Sequence, residues 1–285
     1  RTPELYFVIL GAIKLGAIAG PLFEAFMEGA VRDRLEDSEA KVLVTTPELL
    51  NRVPLDDLPA LKHVFVVGEN VNENEKIIDF YKKFEAADSK LEIEWVDRQD
   101  GLILHYTSGS TGKPKGVLHV HNAMIQQYQT AKWVLDLKED DTYWCTADPG
   151  WVTGTSYGIF GPWLTGTTNL IVGGRFNPEV WYKMIEEYGV TVWYSAPTAF
   201  RMLMGAGDEI IKKYDLSSLR HILSVGEPLN PEVIRWGMKV FNRRIHDNWW
   251  MTETGAQLIS NFPCMEIKPG SMGKPIPGVT AAIVD

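Results

Sequence analysis

Short apolar segments rich in β-branched residues recur along the chain, and each one ends near glycine, proline, serine or threonine. Such segments are typical of buried strands, because they are too short for a helix and their branched side chains fit a pleated surface. Six segments have this pattern: "KVLVTT", "HVFVVG", "GLILHYTSG", "TNLIVGG", "VTVWYSAP" and "RHILSVGEP".

Between these segments apolar residues recur three and four positions apart, which predicts helices that bury one face. The predicted helices are "NEKIIDFYKKFEAA", "NPEVWYKMIEEYG", "PTAFRMLMGAGDEIIKKY" and "NPEVIRWGMKVF". Two of them open with Asn-Pro-Glu, at Asn177 and Asn230. Asparagine there can cap the helix, and proline fits the first helical turn.

The first residues of the chain predict one more helix. Thr2, Pro3 and Glu4 supply a cap, a first-turn proline and an early acid. The segment that follows, "LYFVILGAIKLGAIAGPLF", is interrupted by Lys14 and by glycines. We therefore expect a buried helix rather than a membrane span, which needs about 20 continuous apolar residues.

Strands that alternate with helices predict an α/β fold with mostly parallel, doubly wound sheets and helices on both faces. In such folds ligands bind beyond the carboxyl ends of the strands. The loops of most unusual composition follow "GLILHY", "TVWY" and "HILSV". We treat residues 1–285 as one incomplete domain, and an acidic, Asn-rich stretch at residues 69–100 suggests sub-lobes 1–100 and 101–285.

Composition narrows the class of protein. A hydrophobic content of 45% over 285 residues is enough for a large core. The formal net charge of −9 argues against nucleic-acid binding, which needs clustered lysine and arginine. Cys145 and Cys264 lack metal-site or redox-motif spacing, so we expect two reduced, half-buried thiols in a cytoplasmic protein with no membrane partner.

The ends of the chain suggest an excised piece of a longer protein. The chain has no initiator methionine and no signal peptide, and it closes on the strand-like "GVTAAIVD".

One ten-residue stretch, "TSGSTGKPKG" at Thr107–Gly116, consists almost entirely of hydroxyl residues, glycines and lysines. Backbone N–H groups in such a turn form an anion site, which suggests a phosphate chain as ligand. A nucleotide-binding P-loop is excluded, because Thr107 stands where the first glycine is required and Pro114 follows Lys113. A flexible surface loop is the alternative, but the flanking strand-like segments favour a binding loop.

The longer segment "YTSGSTGKPKGV" closely resembles the signature of the acyl-adenylate-forming, AMP-binding enzymes, which include acyl-CoA synthetases, firefly luciferase and the adenylation domains of peptide synthetases. Four more segments resemble that family's other motifs in order and spacing: "YSAPTAFRML", "SVGEPLNPEV", "DNWWMTETG" and "GSMGKPIPG". The resemblance covers nearly the whole chain. Within the family, "PGWVTGTSY" together with "WWMTETG" is similar to the acetate–CoA ligases of Gram-positive bacteria.

The resemblance implies a layered αβαβα large domain and an ATP-dependent ligase. Acetate would attack ATP to give acetyl-AMP and pyrophosphate, and CoA would then displace AMP to give acetyl-CoA. ATP, acetate and CoA would be the small-molecule partners, with Mg²⁺ as the metal. Ligases for propionate or another short or medium-chain acid, and a non-catalytic nucleotide-binding module, remain alternatives.

The resemblance also implies site residues. The β- and γ-phosphates would contact Thr107, Ser108, Gly109, Ser110, Thr111, Gly112 and Lys115. The adenine and α-phosphate would contact Gly226, Glu227, Pro228, Asp247, Asn248, Trp249, Trp250, Met251 and Thr252. Thr107, Lys115, Thr252 and Glu253 would be catalytic, with Glu253 as the Mg²⁺ ligand, since Mg²⁺ favours one or two carboxylates plus phosphate oxygens. From the residues alone, an ordinary strand-ending turn is the favoured interpretation of "GEP". Lys113 is a weaker phosphate-binding candidate, because it could face only solvent, and Glu253 could be a solvated surface acid.

Selection of a two-carbon acid poses a separate problem. One methylene group contributes only about 1–3 kcal/mol of attraction in an apolar pocket, so longer acids must be excluded by a wall. The resemblance gives that role to Trp250. The other lining residues implied are Trp151, Val152, Thr153 and Val225, with Ala196 near CoA. Tryptophans are usually core residues, and we expect Trp249 to be one.

Two further observations bear on the site. Thr155 stands where relatives often carry histidine, which argues against a histidine contact with the acid. His119 and His121 could form a metal pair, but a third ligand at suitable spacing is missing, and the family has a similar His-x-His pair with a structural role.

The family closes its site with a small C-terminal domain that carries a catalytic lysine. In the family these parts follow the motif that resembles "GSMGKPIPG", and this chain stops before them. We therefore expect the chain as given to bind nucleotide weakly and not to turn over.

Overall fold

The computed structural model describes residues 1–107 and 112–284. Contacts within the chain divide it into two units: an N-terminal unit, Thr2–His121, and a C-terminal unit, which consists of Arg1 and Asn122–Asp285.

The N-terminal unit contains a parallel sheet and a separate hairpin. Its helices are α1 (Pro3–Lys14), α2 (Glu28–Asp37), α3 (Pro47–Leu50), a 3₁₀ turn (Leu55–Asp57) and α4 (Phe80–Ala86). Its strands are β1 (Val42–Thr45), β2 (His63–Val66), β3 (Ile77–Asp79), β4 (Gly101–Thr107) and β5 (Lys115–Val120). Strands β1, β2 and β3 are parallel, and β4 pairs with β5 in an antiparallel hairpin. Val31 and Leu35 of α2 pack with Val64 and Val66 of β2 in the core.

The hairpin belongs to the N-terminal unit because it is hydrogen-bonded to residues near the start of the chain. The Ala19 N–H donates to the Leu102 carbonyl at 3.1 Å, and the Leu104 N–H donates to the Ala19 carbonyl at 2.8 Å. The Tyr106 hydroxyl donates to the Asp37 carboxylate at 2.8 Å. The division of the chain therefore falls after His121, beyond the sub-lobe boundary suggested near residue 100. Membership of both units in one large domain stays a prediction.

The C-terminal unit is built on a seven-stranded sheet. Its helices are α5 (Ala123–Trp133), α6 (Val152–Thr155), a π-helical turn (Ser156–Phe160), α7 (Gly161–Leu164), α8 (Pro178–Tyr188), α9 (Pro197–Ala206), α10 (Asp208–Ile211) and α11 (Pro231–Phe241). Its strands are β6 (Thr142–Cys145), β7 (Thr168–Leu170), β8 (Val192–Ser195), β9 (His221–Ser224), β10 (Ile245–Trp249), β11 (Ile259–Ser260) and β12 (Lys274–Pro275). The strand order is β12-β11-β10-β9-β8-β6-β7, with β11 and β12 antiparallel and the other five strands parallel.

Helices cover both faces of this sheet. Side chains alternate between the faces along each strand. Trp193 and Ile222 pack in a core with residues of α8, α9 and α11. Their strand neighbours Tyr194 and Leu223 pack in a second core with residues of α5 and the π-helical turn. The prediction of a mostly parallel sheet covered on both faces is confirmed for this unit.

The predicted asparagine caps are confirmed. The Asn177 side-chain oxygen accepts from the Glu179 N–H at 2.9 Å, and α8 starts at the following proline. The Asn230 side-chain oxygen accepts from the Glu232 N–H at 2.9 Å at the start of α11.

Three helix predictions were wrong in part. The first half of "NEKIIDFYKKFEAA" is strand β3, because Ile77 and Ile78 pair with β2, and α4 begins only after the cap residue Asp79. The predicted helix at 197–214 is interrupted at Gly207, whose φ of 93° ends α9. Helix α1 ends at Lys14 and is not a buried helix, since Phe7 is 54% exposed.

None of the described helices combines the length and apolar character that a bilayer crossing requires. Both cysteines are free thiols; Cys145 is half-buried as predicted, but Cys264 is exposed because it lies in a surface turn after β11.

Candidate active site

The predicted phosphate-binding loop connects the two strands of the hairpin. Thr107 ends β4, Lys115 begins β5, and the two residues are register partners. Ser108, Gly109, Ser110 and Thr111 lie outside the described residues. Gly112 has a φ of 87° with open space around it, so the backbone there adopts a conformation that favours glycine. The described ends of the loop thus place a half-buried hydroxyl at the end of β4 and an exposed ammonium opposite it at the start of β5.

The pair His119 and His121 lies at the far end of the same hairpin. His119 is buried in β5, with its ring centroid 6.3 Å from that of His105. Within residues 1–107 and 112–284, no group of three or more His, Cys, Asp or Glu side chains is placed to hold a metal ion.

In the C-terminal unit, the remaining predicted residues meet at one edge of the sheet. Ser195 of β8 and Ser224 of β9 are register partners, and Ser224 is also the partner of Asp247 in β10. Because these strands are parallel neighbours, the segments that follow them emerge side by side. Ala196, Val225 and the segment from Asn248 onward therefore lie at the same edge, which we call the carboxyl edge.

Three of the predicted acid-lining residues pack together. Val152, Val225 and Trp250 belong to one buried apolar cluster, and Trp250 is only 7% exposed. Trp151 is 45% exposed and does not join the cluster. Thr153 is half-buried, and its carbonyl lies 3.9 Å from the Cys145 sulfur. Contact of these residues with an acid stays a prediction.

The prediction that Trp249 is a core residue was wrong, since it is 37% exposed. It is the last residue of β10 and alternates with buried Asn248, so its side chain lies on the opposite face of the sheet. Trp250 is therefore the buried indole of this pair.

A buried polar network surrounds Trp250, and sequence reasoning missed two of its members. The Tyr194 hydroxyl donates to the Asn248 side-chain oxygen at 2.8 Å. It accepts from Trp250 Nε1 and from Gln257 Nε2, each at 3.3 Å. A tyrosine inside the apolar strand "VTVWYSAP" was the available signal, because a buried tyrosine hydroxyl usually requires a partner.

The turn that follows Trp250 carries the predicted catalytic pair. Thr252 is half-buried and Glu253 is exposed. Two buried side chains hold the end of this turn. The Gly255 carbonyl accepts hydrogen bonds from Ser156 Oγ at 2.7 Å and from Gln127 Nε2 at 3.2 Å. Gln127 was missed because no helix was predicted over α5.

A close backbone contact fixes the loop that leads to Val152. A Cβ atom added at Gly154 would lie 2.0 Å from the Asp148 carbonyl oxygen, so only glycine fits there without a backbone shift. Thr155 is buried, and its hydroxyl donates to the Val152 carbonyl at 3.0 Å.

Asp247 is a buried carboxyl group at the carboxyl edge. Burial raises the pKa of Asp247 to about 7, and the N–H groups of Asn248 and Leu229 offset only part of that effect. Its Oδ1 atom accepts no hydrogen bond from any residue within the described ranges. A buried acceptor of this kind fits a ligand that carries an amino group, such as an adenine base.

The "GEP" turn is tied to α9 through Glu227. Thr198 Oγ1 lies 2.6 and 2.7 Å from its two carboxylate oxygens, and Arg201 donates to the carboxylate at 2.5 Å. Burial opposes ionisation of Glu227, but these hydrogen bonds and the arginine charge outweigh it and hold its pKa below the usual value. The Glu227 side chain thus anchors the turn. Because its carboxylate is already hydrogen-bonded, a ligand at this turn would contact the backbone of Gly226 to Pro228. Gly226, with a φ of 100°, lets the chain turn sharply after β9.

The whole chain, residues 1–285, matches the family model described as "AMP-binding enzyme". The chain belongs to the AMP-binding enzyme family. It is 76% identical over 285 residues to the acetyl-coenzyme A synthetase of Bacillus subtilis (strain 168), covering 100% of this chain and 50% of that protein. It is 41% identical over 305 residues to the acetyl-coenzyme A synthetase of Methanothrix thermoacetophila, covering 99% of this chain and 46% of that protein.

Solved structures of the AMP-binding family share the fold. An acyl-CoA synthetase of Brucella canis superposes with a TM-score of 0.93 at 36% identity, over 100% of this chain and 52% of that one. An anthranilate CoA ligase in complex with anthranoyl-AMP gives a TM-score of 0.90 at 30% identity, over 97% of this chain and 53% of that one. The predicted family and α/β fold class are therefore confirmed. The chain spans about half the length of the curated relatives that it matches.

Proposed function

We propose that the whole protein is an acetate–CoA ligase that forms acetyl-AMP from acetate and ATP and then transfers the acetyl group to CoA. The observation that carries the proposal is the 76% identity, over every residue of this chain, with a protein named acetyl-coenzyme A synthetase. The buried indole of Trp250 beside Val152 and Val225 supports a small acid as the substrate.

The chemistry requires two anions to approach each other. An acetate oxygen attacks the α-phosphorus of ATP and the bond to the pyrophosphate oxygen breaks, so the main tasks of the protein are positioning and charge neutralisation. We assign Lys115 and the hairpin loop to the β- and γ-phosphates. We assign Thr252 to the α-phosphate and Asp247 to the amino group of adenine, as acceptor.

A metal ion fits this scheme at Glu253. This carboxylate is exposed at the turn after Trp250, and Mg²⁺ commonly binds one or two protein carboxylates together with substrate phosphates. Bound there, Mg²⁺ would neutralise charge on the phosphate oxygens. In the second half of the reaction, the CoA thiolate attacks the acetyl carbonyl and AMP leaves. We assign Ala196, the residue after β8, to the vicinity of that thiol.

Acid-dependent ATP–pyrophosphate exchange in the whole protein tests the proposal. We expect the highest exchange rate with acetate, a lower rate with propionate and a much lower rate with butyrate. A preference for butyrate would instead identify a ligase for longer acids. Nucleotide binding without exchange for any acid would identify a non-catalytic nucleotide-binding module.

A further inference from the structure

The hydroxyl group of Tyr194 makes every hydrogen bond that a tyrosine hydroxyl can make. A tyrosine hydroxyl can donate one hydrogen bond and accept two. It donates to Asn248 Oδ1 at 2.8 Å and accepts from Trp250 Nε1 and Gln257 Nε2, each at 3.3 Å. Burial raises the pKa of Tyr194 well above its usual value, so this hydroxyl keeps its proton across the working pH range.

These bonds connect strands that are not neighbours. Tyr194 lies in β8 opposite Leu223 of β9, and Asn248 lies in β10, on the far side of β9. The tyrosine side chain therefore reaches across β9 to Asn248, and Trp250 follows two residues later. Its hydroxyl ties the middle of the sheet to the segment that carries the indole.

The indole of Trp250 is constrained on two sides. Its ring meets the Tyr157 ring edge-on, at a centroid distance of 5.2 Å and an interplanar angle of 87°. Its N–H points to the Tyr194 hydroxyl. A rotation of the ring that broke this hydrogen bond would leave a buried N–H group without a partner, which is unfavourable in an apolar cluster.

We propose that Tyr194 is a positioning residue for acid selectivity, and that its hydroxyl holds the Trp250 indole in the orientation that limits the length of the acid. The inference rests on the proposed function, since it takes Trp250 as the wall of the acid site. Tyr194 is assigned no contact with the acid and acts only through the indole. Its loss should therefore change the choice among acids more than the use of ATP, in which its other partner Asn248 is expected to take part.

The test is the propionate-to-acetate ratio of kcat/KM in ATP–pyrophosphate exchange, measured in the whole protein. We expect Tyr194→Phe to raise this ratio by about tenfold, the factor that corresponds to one buried hydrogen bond. KM for ATP should change by a smaller factor, and by the same factor with either acid, so that it does not contribute to the ratio.

Tyr182→Phe is the matched control. Tyr182 is equally buried, its hydroxyl makes no hydrogen bond to a described residue, and it lies in the core on the other face of the sheet. We expect this variant to leave the ratio unchanged. A ratio in folded Tyr194→Phe that matches Tyr182→Phe would overturn the inference.

A second pair of variants separates positioning from general loosening of the core. In a Trp250→Phe background no indole N–H exists, so adding Tyr194→Phe should leave the ratio where Trp250→Phe alone put it. A further rise of the ratio in the double variant would contradict action through the indole.

If Tyr194→Phe does not fold, replacing Trp250 with its benzothiophene analogue gives the same test. That side chain keeps the shape of indole and lacks the N–H, so the ratio should again rise by about tenfold. An unchanged ratio would overturn the inference. A parent protein without acetate-dependent exchange would instead show that the proposed function is wrong.

Discussion

The hairpin loop and the carboxyl edge differ in how their structure depends on the sequence. The hairpin loop is a continuous run of ten residues, Thr107–Gly116, whose described part is mostly exposed. The carboxyl edge is assembled from segments that follow β6, β8, β9 and β10, and its central side chain, Trp250, is buried. A continuous loop shows its chemistry in its composition, whereas an assembled site depends on contacts that only the fold creates.

The two regions should therefore respond differently to substitution. Changes in the hairpin loop should weaken binding of the phosphate chain equally for every acid. Changes at the carboxyl edge should alter packing, acid choice or ionisation.

The largest effect is expected from Gly154→Ala, which tests how tightly the carboxyl edge is packed. The added Cβ would lie 2.0 Å from the Asp148 carbonyl oxygen, so the backbone must shift. We expect the free energy of unfolding to fall by more than about 3 kcal/mol, as for severe overpacking. Urea unfolding of the whole protein measures this.

Gly205→Ala is the control for that variant, because nothing lies within 4 Å of an added Cβ at this position in α9. This substitution should raise the unfolding free energy by about 0.5–1 kcal/mol through helix propensity. Similar losses in both variants would mean that the contact at Gly154 is not decisive.

The next largest effect is expected from Trp250→Gly, which removes the wall. The butyrate-to-acetate ratio of kcat/KM should rise by about 100-fold or more, since each methylene group accommodated contributes about 1–3 kcal/mol. Retained rejection of butyrate in this variant would place the limit on chain length elsewhere.

Lys115→Ala in the hairpin loop should have a smaller effect that does not depend on the acid. Loss of a charged contact to phosphate should reduce kcat/KM for ATP by about 30-fold. Lys113→Ala, which removes an equally exposed lysine two residues away, should change it by less than about threefold, as expected for a solvated side chain. Equal losses in the two variants would argue for a general electrostatic effect rather than a specific contact.

Taken over one pH unit, the smallest effect is the pH dependence due to Asp247. Burial raises the pKa of Asp247 to about 7 from an ordinary value of 3.8, so the folded protein binds more protons than the unfolded chain between these values. Stability from this group is present below pH 4 and is lost as the pH rises toward 7, by at most about 1.4 kcal/mol per pH unit. Asp247→Asn should flatten the stability profile in that window, measured by thermal unfolding. An unchanged profile would exclude Asp247 as its source.

The sequence predicted local features best. The caps Asn177 and Asn230 depend on residues within the next three positions, and both are confirmed. Strand β3 was taken for the start of a helix because its partner β2 is distant in sequence and the three-to-four spacing of α4 extends back into it. The strand was therefore hidden by a helix pattern that holds only from Phe80 onward.

In the candidate site too, local features were predicted and those that depend on distant contacts were not. Composition and resemblance indicated the hairpin loop and placed Val152, Val225 and Trp250 in one group, which the fold packs together. Tyr194 and Gln257 were not found, since their role depends on a hydrogen-bond network that spans three strands. Trp249 and Trp250 are adjacent, and only the strand alternation decides which of them is buried.

The separate roles of the two regions are tested by acid-dependent exchange in Lys115→Ala and Trp250→Gly, measured side by side with acetate, propionate and butyrate. We expect Lys115→Ala to lower the rates for all three acids by the same factor and Trp250→Gly to change the order of preference among them. A Lys115→Ala variant that alters acid preference, or a Trp250→Gly variant that keeps it, would contradict the separate roles of the two regions.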